Sequence, residues 1–172
     1  MGNQKNSPEI YHFSDDSVIP NSKYPVIIYR EIFSLDPETG ADWIEGHFAE
    51  YRWTNPFRWG VYDFNHYHSN THEVLGVYAG DALLQLGGAH GKKIAVKSGD
   101  VLVLPAGTGH AALSQSKDFA VVGAYPGGVE PDLVKITDER PDGVREKVDA
   151  VLLPEYDPLD GKSEKGLLSY WK

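Results

Sequence analysis

Between positions 60 and 125, short runs rich in Val, Leu, Ile, Tyr and Phe alternate with turns that contain glycine. Apolar runs of this kind, bounded by Gly, Pro, Asn or Asp, are typical of β-strands. The pattern predicts strands at 61–68, 73–78, 82–86, 93–96, 101–104, 110–114 and 119–125. Short strands at this spacing favour an all-β sandwich or barrel.

The segments on either side of this region are more polar and have their own elements. Before it, the pattern predicts short strands at 10–13 and 24–29, then a helix within 35–53 that starts after Asp36 with Pro37 in its first turn. After it, the pattern predicts a short helix within 144–153 and an apolar end at 167–171. We therefore expect an N-terminal arm (1–59) and a core barrel (60–126). A C-terminal extension (127–172) would pack on the barrel or on a partner.

Composition narrows the class of protein. The 172 residues suit one domain, and 41% hydrophobic with 24% charged residues is ordinary for a soluble protein. The formal net charge of −9 and the lack of a basic run argue against a nucleic-acid partner. With no cysteine, a disulfide framework and a thiolate-ligated metal are excluded. The polar first residues and the lack of a long apolar stretch predict a cytoplasmic protein with no membrane partner.

Four of the seven histidines are candidates for a functional site, namely His66, His68, His72 and His110. The first three lie close together in the sequence. His66 and His68 are two residues apart, so on a strand their imidazoles point to the same face. Glu73 returns on the next strand after a tight turn. Two imidazoles and one carboxylate are typical ligands of a divalent transition-metal ion.

Two motifs resemble the cupin superfamily. Gly60-x5-His66-x-His68-x4-Glu73-x6-Gly80 is similar to its first motif, and Gly99-x5-Pro105-x-Gly107-x2-His110 is similar to its second. One position departs from the second motif, because Ser114 stands where Asn is usual. The stretches 66–76, 100–110 and 121–126 more closely resemble the bacterial YjlB-like single-domain cupins, a similarity that implies no particular reaction.

The resemblance implies a double-stranded β-helix, or jelly-roll barrel, with short helices in the flanking segments. It implies one divalent ion (Fe, Mn, Ni, Cu or Zn) held by His66, His68, Glu73 and His110. Some family members have one residue fewer before the acidic ligand, which would place His72 in that position. The spacing from Glu73 to Gly80 favours Glu73 and leaves His72 beside the site.

The function remains open between two classes at this point. The resemblance implies a metal-dependent enzyme of the dioxygenase or isomerase type that acts on a small molecule. The alternative is a non-catalytic sugar-binding or small-ligand sensor module, since fold alone does not give function. A homodimer is expected for either class. Side chains that alternate towards the barrel interior, or that lie near the expected metal ligands, form a candidate substrate pocket. These residues are Tyr62, Phe64, His72, Ala112, Ser114 and Tyr125.

Overall fold

Two antiparallel sheets enclose the main hydrophobic core in a computed structural model that describes residues 7–136, 139–162 and 164–172. The strands are β1 (Glu9–Tyr11), β2 (Val26–Tyr29), β3 (Trp53–Trp59), β4 (His66–Tyr67), β5 (Glu73–Ala79), β6 (Asp81–Leu86), β7 (Lys92–Lys97), β8 (Val101–Leu104), β9 (His110–Gln115), β10 (Ala120–Pro126) and β11 (Val134–Lys135). The helices are α1 (Pro37–Glu50), α2 (Val144–Asp149) and α3 (Leu167–Tyr170). The predicted all-β class is confirmed.

The strand order shows how the barrel is closed. One sheet has six strands in the order β1-β2-β8-β5-β10-β3, and the other has five in the order β11-β4-β9-β6-β7. Alternate side chains of β5, β6, β8 and β10 point between the sheets, with Leu75, Leu84, Leu102 and Val121 each at most 2% exposed. Both sheets include strands from outside the 60–126 region, namely β1, β2 and β3 in the first and β11 in the second.

The outer face of the six-stranded sheet is covered by α1 and by the C-terminal end of the chain. Asp36 caps the N-terminus of helix α1, because its side chain accepts a hydrogen bond from the Thr39 N–H. The helix buries Ile44 and Phe48 against the sheet. Gly76 permits this approach, because a Cβ at that position would lie 2.8 Å from Ile44 Cγ1. The strands beneath are consequently buried on both faces.

The main differences from the sequence prediction concern three strands. The strand predicted at 61–68 is regular only at His66–Tyr67, and the residues before it form an irregular loop. Strand β3 was not predicted, and its run contains Pro56. Proline lacks an amide donor and is tolerated at a sheet edge, which is where β3 lies. Strand β11 is a two-residue strand within a polar segment that carries no alternating pattern.

Candidate metal centre

Three histidines from neighbouring elements converge inside one end of the barrel. His66 on β4 is paired directly with His110 at the start of β9, and His68 follows β4 by one residue. One ligand nitrogen from each of the three rings lies within 4.8 Å of the others. Such a group is large enough to surround one metal ion and compact enough for all three nitrogens to reach it.

Each of the three rings is oriented by a backbone carbonyl. In every case Nδ1 lies at hydrogen-bond distance from a carbonyl oxygen, which can only accept, so Nδ1 must carry the proton. The acceptors are the oxygens of Phe64 for His66 at 3.0 Å, Thr108 for His110 at 2.9 Å, and Asp132 for His68. Neutral rings with this tautomer have an unprotonated Nε2, which is the form that binds a metal.

Glu73, the first residue of β5, places a carboxylate beside two of these histidines. Its oxygens lie 3.1 Å from His68 Nε2 and 3.5 Å from His110 Nε2, and the residue is only 4% exposed. Burial alone would raise the pKa of Glu73. The adjacent His68 and His110 rings favour the charged carboxylate more than burial opposes it, so the pKa of Glu73 falls well below its usual range. The carboxylate is therefore ionised.

The electrostatics of the rings fit a bound cation. Among the described residues, His110 Nε2 is a buried ring nitrogen with no hydrogen-bond partner. Burial, together with the neighbouring His110, lowers the pKa of His66 to about 3, so that ring stays neutral. Burial opposes a charge on His68, but the Glu73 carboxylate raises its pKa, which shows that the site attracts positive charge. The residues present therefore fit a divalent ion.

His72 lies outside this group. Its Nδ1 accepts a hydrogen bond from the Ala106 N–H at 2.9 Å, and its Nε2 donates to the Leu152 carbonyl at 3.1 Å. The ring packs against Trp171, with centroids 4.8 Å apart. Both nitrogens are thus already used by the protein. The alternative ligand that the sequence left open is a buried structural residue.

A cavity of about 360 Å³ opens onto the three histidines and Glu73. The sequence named six residues as a candidate pocket. Two of them line this cavity, Tyr62 at the mouth and Tyr125 inside. Burial and the neighbouring Glu73 carboxylate raise the pKa of Tyr125, so its phenol stays protonated. A protonated phenol beside the carboxylate can donate a hydrogen bond to a ligand oxygen.

The other four residues of that candidate pocket lie elsewhere. Phe64 stacks on Tyr62 with centroids 4.7 Å apart and does not line the cavity, and His72 is held as described above. Ala112 is buried in the core cluster. Ser114 is exposed, because the pairing of β9 with β6 shifts by one residue between Ala112 and Ser114. Such a bulge breaks the two-residue alternation on which its inward orientation was predicted.

Several residues of the site carry no signal in the sequence. Asp132 orients His68 through its backbone carbonyl, and Pro131 and Leu133 on either side of it line the cavity. Trp59 and Phe57 reach the cavity from β3, which was not predicted. A long-range backbone contact of this kind cannot be read from spacing, because it depends on where the C-terminal extension crosses the barrel.

The family follows from comparison with known proteins. A family model described as cupin matches residues 65–127. The chain belongs to the cupin family. It is 41% identical over 165 residues to the uncharacterized protein YjlB of Bacillus subtilis (strain 168), which covers 95% of this chain and 96% of that protein. It is therefore a YjlB-like cupin.

Solved structures show more distant similarity. Acireductone dioxygenase from Bacillus anthracis, with a cadmium ion in its active centre, is 15% identical with a TM-score of 0.39, covering 62% of this chain and 82% of that one. A predicted oxalate decarboxylase from Thermotoga maritima is 16% identical with a TM-score of 0.36, covering 73% and 98%. Similarity at this level carries no argument about function.

No helix within the described ranges has the length and apolarity to cross a membrane.

Proposed function

We propose that this cupin binds one divalent transition-metal ion through His66, His68, Glu73 and His110. The observation that carries the proposal is the shared tautomer of the three histidines, whose Nδ1–H groups all donate to carbonyl oxygens. Fe, Mn, Ni, Cu and Zn all bind imidazole and carboxylate ligands of this kind. Four protein ligands on a six-coordinate ion would leave two positions free for a small molecule.

We further propose that the protein is a metal-dependent enzyme of the dioxygenase or isomerase type. A bound ion of this kind supplies Lewis acidity and, for Fe, Mn or Cu, redox chemistry. The chain's own residues would exclude water through the apolar walls Leu75 and Val61, and the Tyr125 phenol would hold a ligand oxygen near the carboxylate. The cavity opens to solvent, so a small molecule can enter.

A non-catalytic ligand-binding role is the second candidate, and the lining of the cavity favours it. Apart from the four proposed ligands, the ionisable side chains that line it are Tyr62, Tyr125 and Asp132. Asp132 is engaged by Ser69 and Lys147. Without a free acid–base pair, any proton transfer would depend on the ion and on Tyr125. Turnover of a substrate, once one is found, separates the two roles.

The test of the metal site is elemental analysis of the purified protein and of single variants. We expect one equivalent of metal in the unaltered protein and a loss of nearly all of it in His66→Ala and in His110→Ala, because each removes one of four ligands. His90→Ala, which changes an exposed histidine in a turn, is the matched control and keeps its metal. Circular dichroism checks that the β-rich fold is retained. Full metal content in both ligand variants would refute the assignment.

The remaining proposals concern organisation and location. We propose that the segment 60–126 carries the metal, with 1–59 and 127–172 packed on it, and that the protein is a cytoplasmic homodimer that binds no nucleic acid. The net charge of −9 supports the last point. Light scattering after gel filtration tests the dimer, and a monomer at high concentration would refute it.

A further inference from the structure

An aromatic shelf lies at the mouth of the cavity. We use this name for Trp59 and Tyr62, whose ring centroids lie 5.0 Å apart. Phe64 supports the shelf by stacking on Tyr62 at 4.7 Å without lining the cavity itself. Trp59 is 57% exposed and Tyr62 is 39% exposed. The Tyr62 ring also lies 5.2 Å from the His66 ring, so the shelf runs from solvent directly to the metal centre.

Core packing does not explain why large aromatic rings lie exposed beside a polar site. A large aromatic side chain that stays in water forgoes the stabilisation that burial would give it. Flat faces of this size recognise other planar or apolar groups by stacking. Because Trp59 and Tyr62 line the cavity that reaches the three histidines, the position of the shelf indicates where the body of a ligand lies.

The charged residues around the cavity limit how much negative charge the metal-binding end of the ligand can carry. None of the described residues that line it is a lysine or an arginine. Lys147 pairs with the Asp132 carboxylate, and the Lys135 ammonium lies over the Phe64 ring, 4.8 Å from its centroid. Recognition of a dicarboxylate or a phosphate normally uses such cations. Glu73 would offset one of the two positive charges of a divalent ion, so a ligand with one negative charge neutralises the site and a second negative charge has no partner.

Resting on the metal function proposed above, we propose that the ligand is a small neutral or singly charged molecule with two parts. An oxygen-bearing head chelates the ion, and an aromatic or planar apolar body stacks on Trp59 and Tyr62. The cavity volume of about 360 Å³ suits a molecule of one or two rings. Doubly charged small acids are excluded as the preferred ligands.

The test compares two hydroxamates that share the same chelating head. Benzohydroxamate carries a ring and acetohydroxamate does not, and oxalate serves as the doubly charged chelator. Calorimetric titration of the zinc-loaded protein should show benzohydroxamate binding at least about ten-fold more tightly than acetohydroxamate, with oxalate weaker than benzohydroxamate. In Trp59→Ala the preference for the ring should fall to about two-fold. In Trp43→Ala, the matched control on α1 away from the cavity, it should be unchanged.

The outcomes separate this inference from the metal site itself. Equal affinity for the two hydroxamates, an unchanged preference in Trp59→Ala, or tightest binding of oxalate would overturn the inference while zinc remains bound. Failure of the unaltered protein to bind zinc would overturn the metal proposal and the inference together. Dissociation of an oligomer in Trp59→Ala, measured by light scattering, would show that a second copy covers the shelf, which also overturns the inference.

Discussion

The tautomer of each histidine in the 66–72 stretch distinguishes the candidate metal centre from its surroundings. His66 and His68 donate from Nδ1 to carbonyl oxygens, whereas His72 accepts at Nδ1 from an amide. The first arrangement leaves Nε2 without a proton, and the second places the proton on Nε2, where it bonds to Leu152. The backbone therefore selects which histidines can bind a metal, although all three have the same side chain and similar burial.

The buried His72 should make the metal-free protein sensitive to acid. Burial lowers its pKa to about 4, below the ordinary value of roughly 6.5. Between these two values the unfolded chain takes up a proton that the folded chain does not. The free energy of unfolding therefore falls as the pH drops from 6.5 towards 4, by up to about 3 kcal/mol. Below pH 4 His72 is protonated in both the folded and the unfolded chain, so it causes no further change in the free energy of unfolding.

Urea unfolding of the metal-free protein at pH 7.0 and at pH 5.0 measures this effect. His72→Asn, in which the amide oxygen can accept from Ala106 but does not titrate, should lose less stability across this interval than the unaltered protein. His12→Asn changes an exposed histidine and should leave the loss unchanged. His68, whose pKa is raised, contributes in the opposite direction but is present in all three proteins. Equal losses in all three would contradict the assignment to His72.

At the scale of elements, sequence periodicity predicts strands well only where the pairing is regular. Strands β5, β8 and β10 were expected within one or two residues of their ends, because each is a continuous apolar run bounded by turn residues. The inward orientation expected for Ser114 depended on unbroken alternation, which the bulge in β9 interrupts. Bulges are set by the pairing of two strands and are not visible in either strand alone.

Three of the four proposed ligands could be named from local spacing, whereas the residues that support them could not. His66, His68 and Glu73 lie within eight consecutive positions, and alternation together with one turn brings them together. The strap, by which we mean residues 130–135, comes from a segment without periodicity. Asn70 holds it at two points, through the Glu130 carbonyl and the Asp132 amide. The sequence separation of about 60 residues hides this contact from any local pattern.

Loosening the strap should weaken metal binding without removing a ligand. The Asp132 carboxylate accepts hydrogen bonds from Ser69 and Lys147, which fixes the carbonyl that orients His68. In Asp132→Ala we expect metal affinity to fall by about 10- to 100-fold, the usual effect of losing support to a ligand. Competition titration with a chelating dye measures it. Glu130→Ala, an exposed strap side chain bonded to Asn55, should change the affinity less than two-fold, and equal effects would refute the role of Asp132.

At the scale of the whole molecule, the C-terminal end closes the outer face of the barrel. Leu167 and Trp171 are at most 2% exposed, and Trp171 stacks on Tyr24 and donates from its indole to the Pro25 carbonyl. This end packs on the strands of its own chain. Trp171 also contacts His72, so the tail connects the outer covering to the residue that precedes Glu73.

A buried carboxylate fastens this tail to the six-stranded sheet. Asp157 is fully buried and accepts hydrogen bonds from the amides of Leu159, Asp160 and Leu167 and from the Tyr29 hydroxyl on β2. Burial and the adjacent Asp157 charge raise the pKa of Tyr29, so this phenol remains a donor. These hydrogen bonds satisfy the carboxylate oxygens, which allows the group to be buried.

The tail should therefore contribute to stability and leave the metal stoichiometry unchanged. Trp171→Ala removes a fully buried ring and should lower the free energy of unfolding by about 3–5 kcal/mol. Tyr170→Ala, at a neighbouring residue that is 36% exposed, should cost less than about 1 kcal/mol. Chemical denaturation measures both, and elemental analysis should still find the metal content of the unaltered protein in each, because the proposed ligands lie on the barrel strands and their loops. A loss of metal from folded Trp171→Ala would instead show that the contact between Trp171 and His72 positions the Glu73 carboxylate.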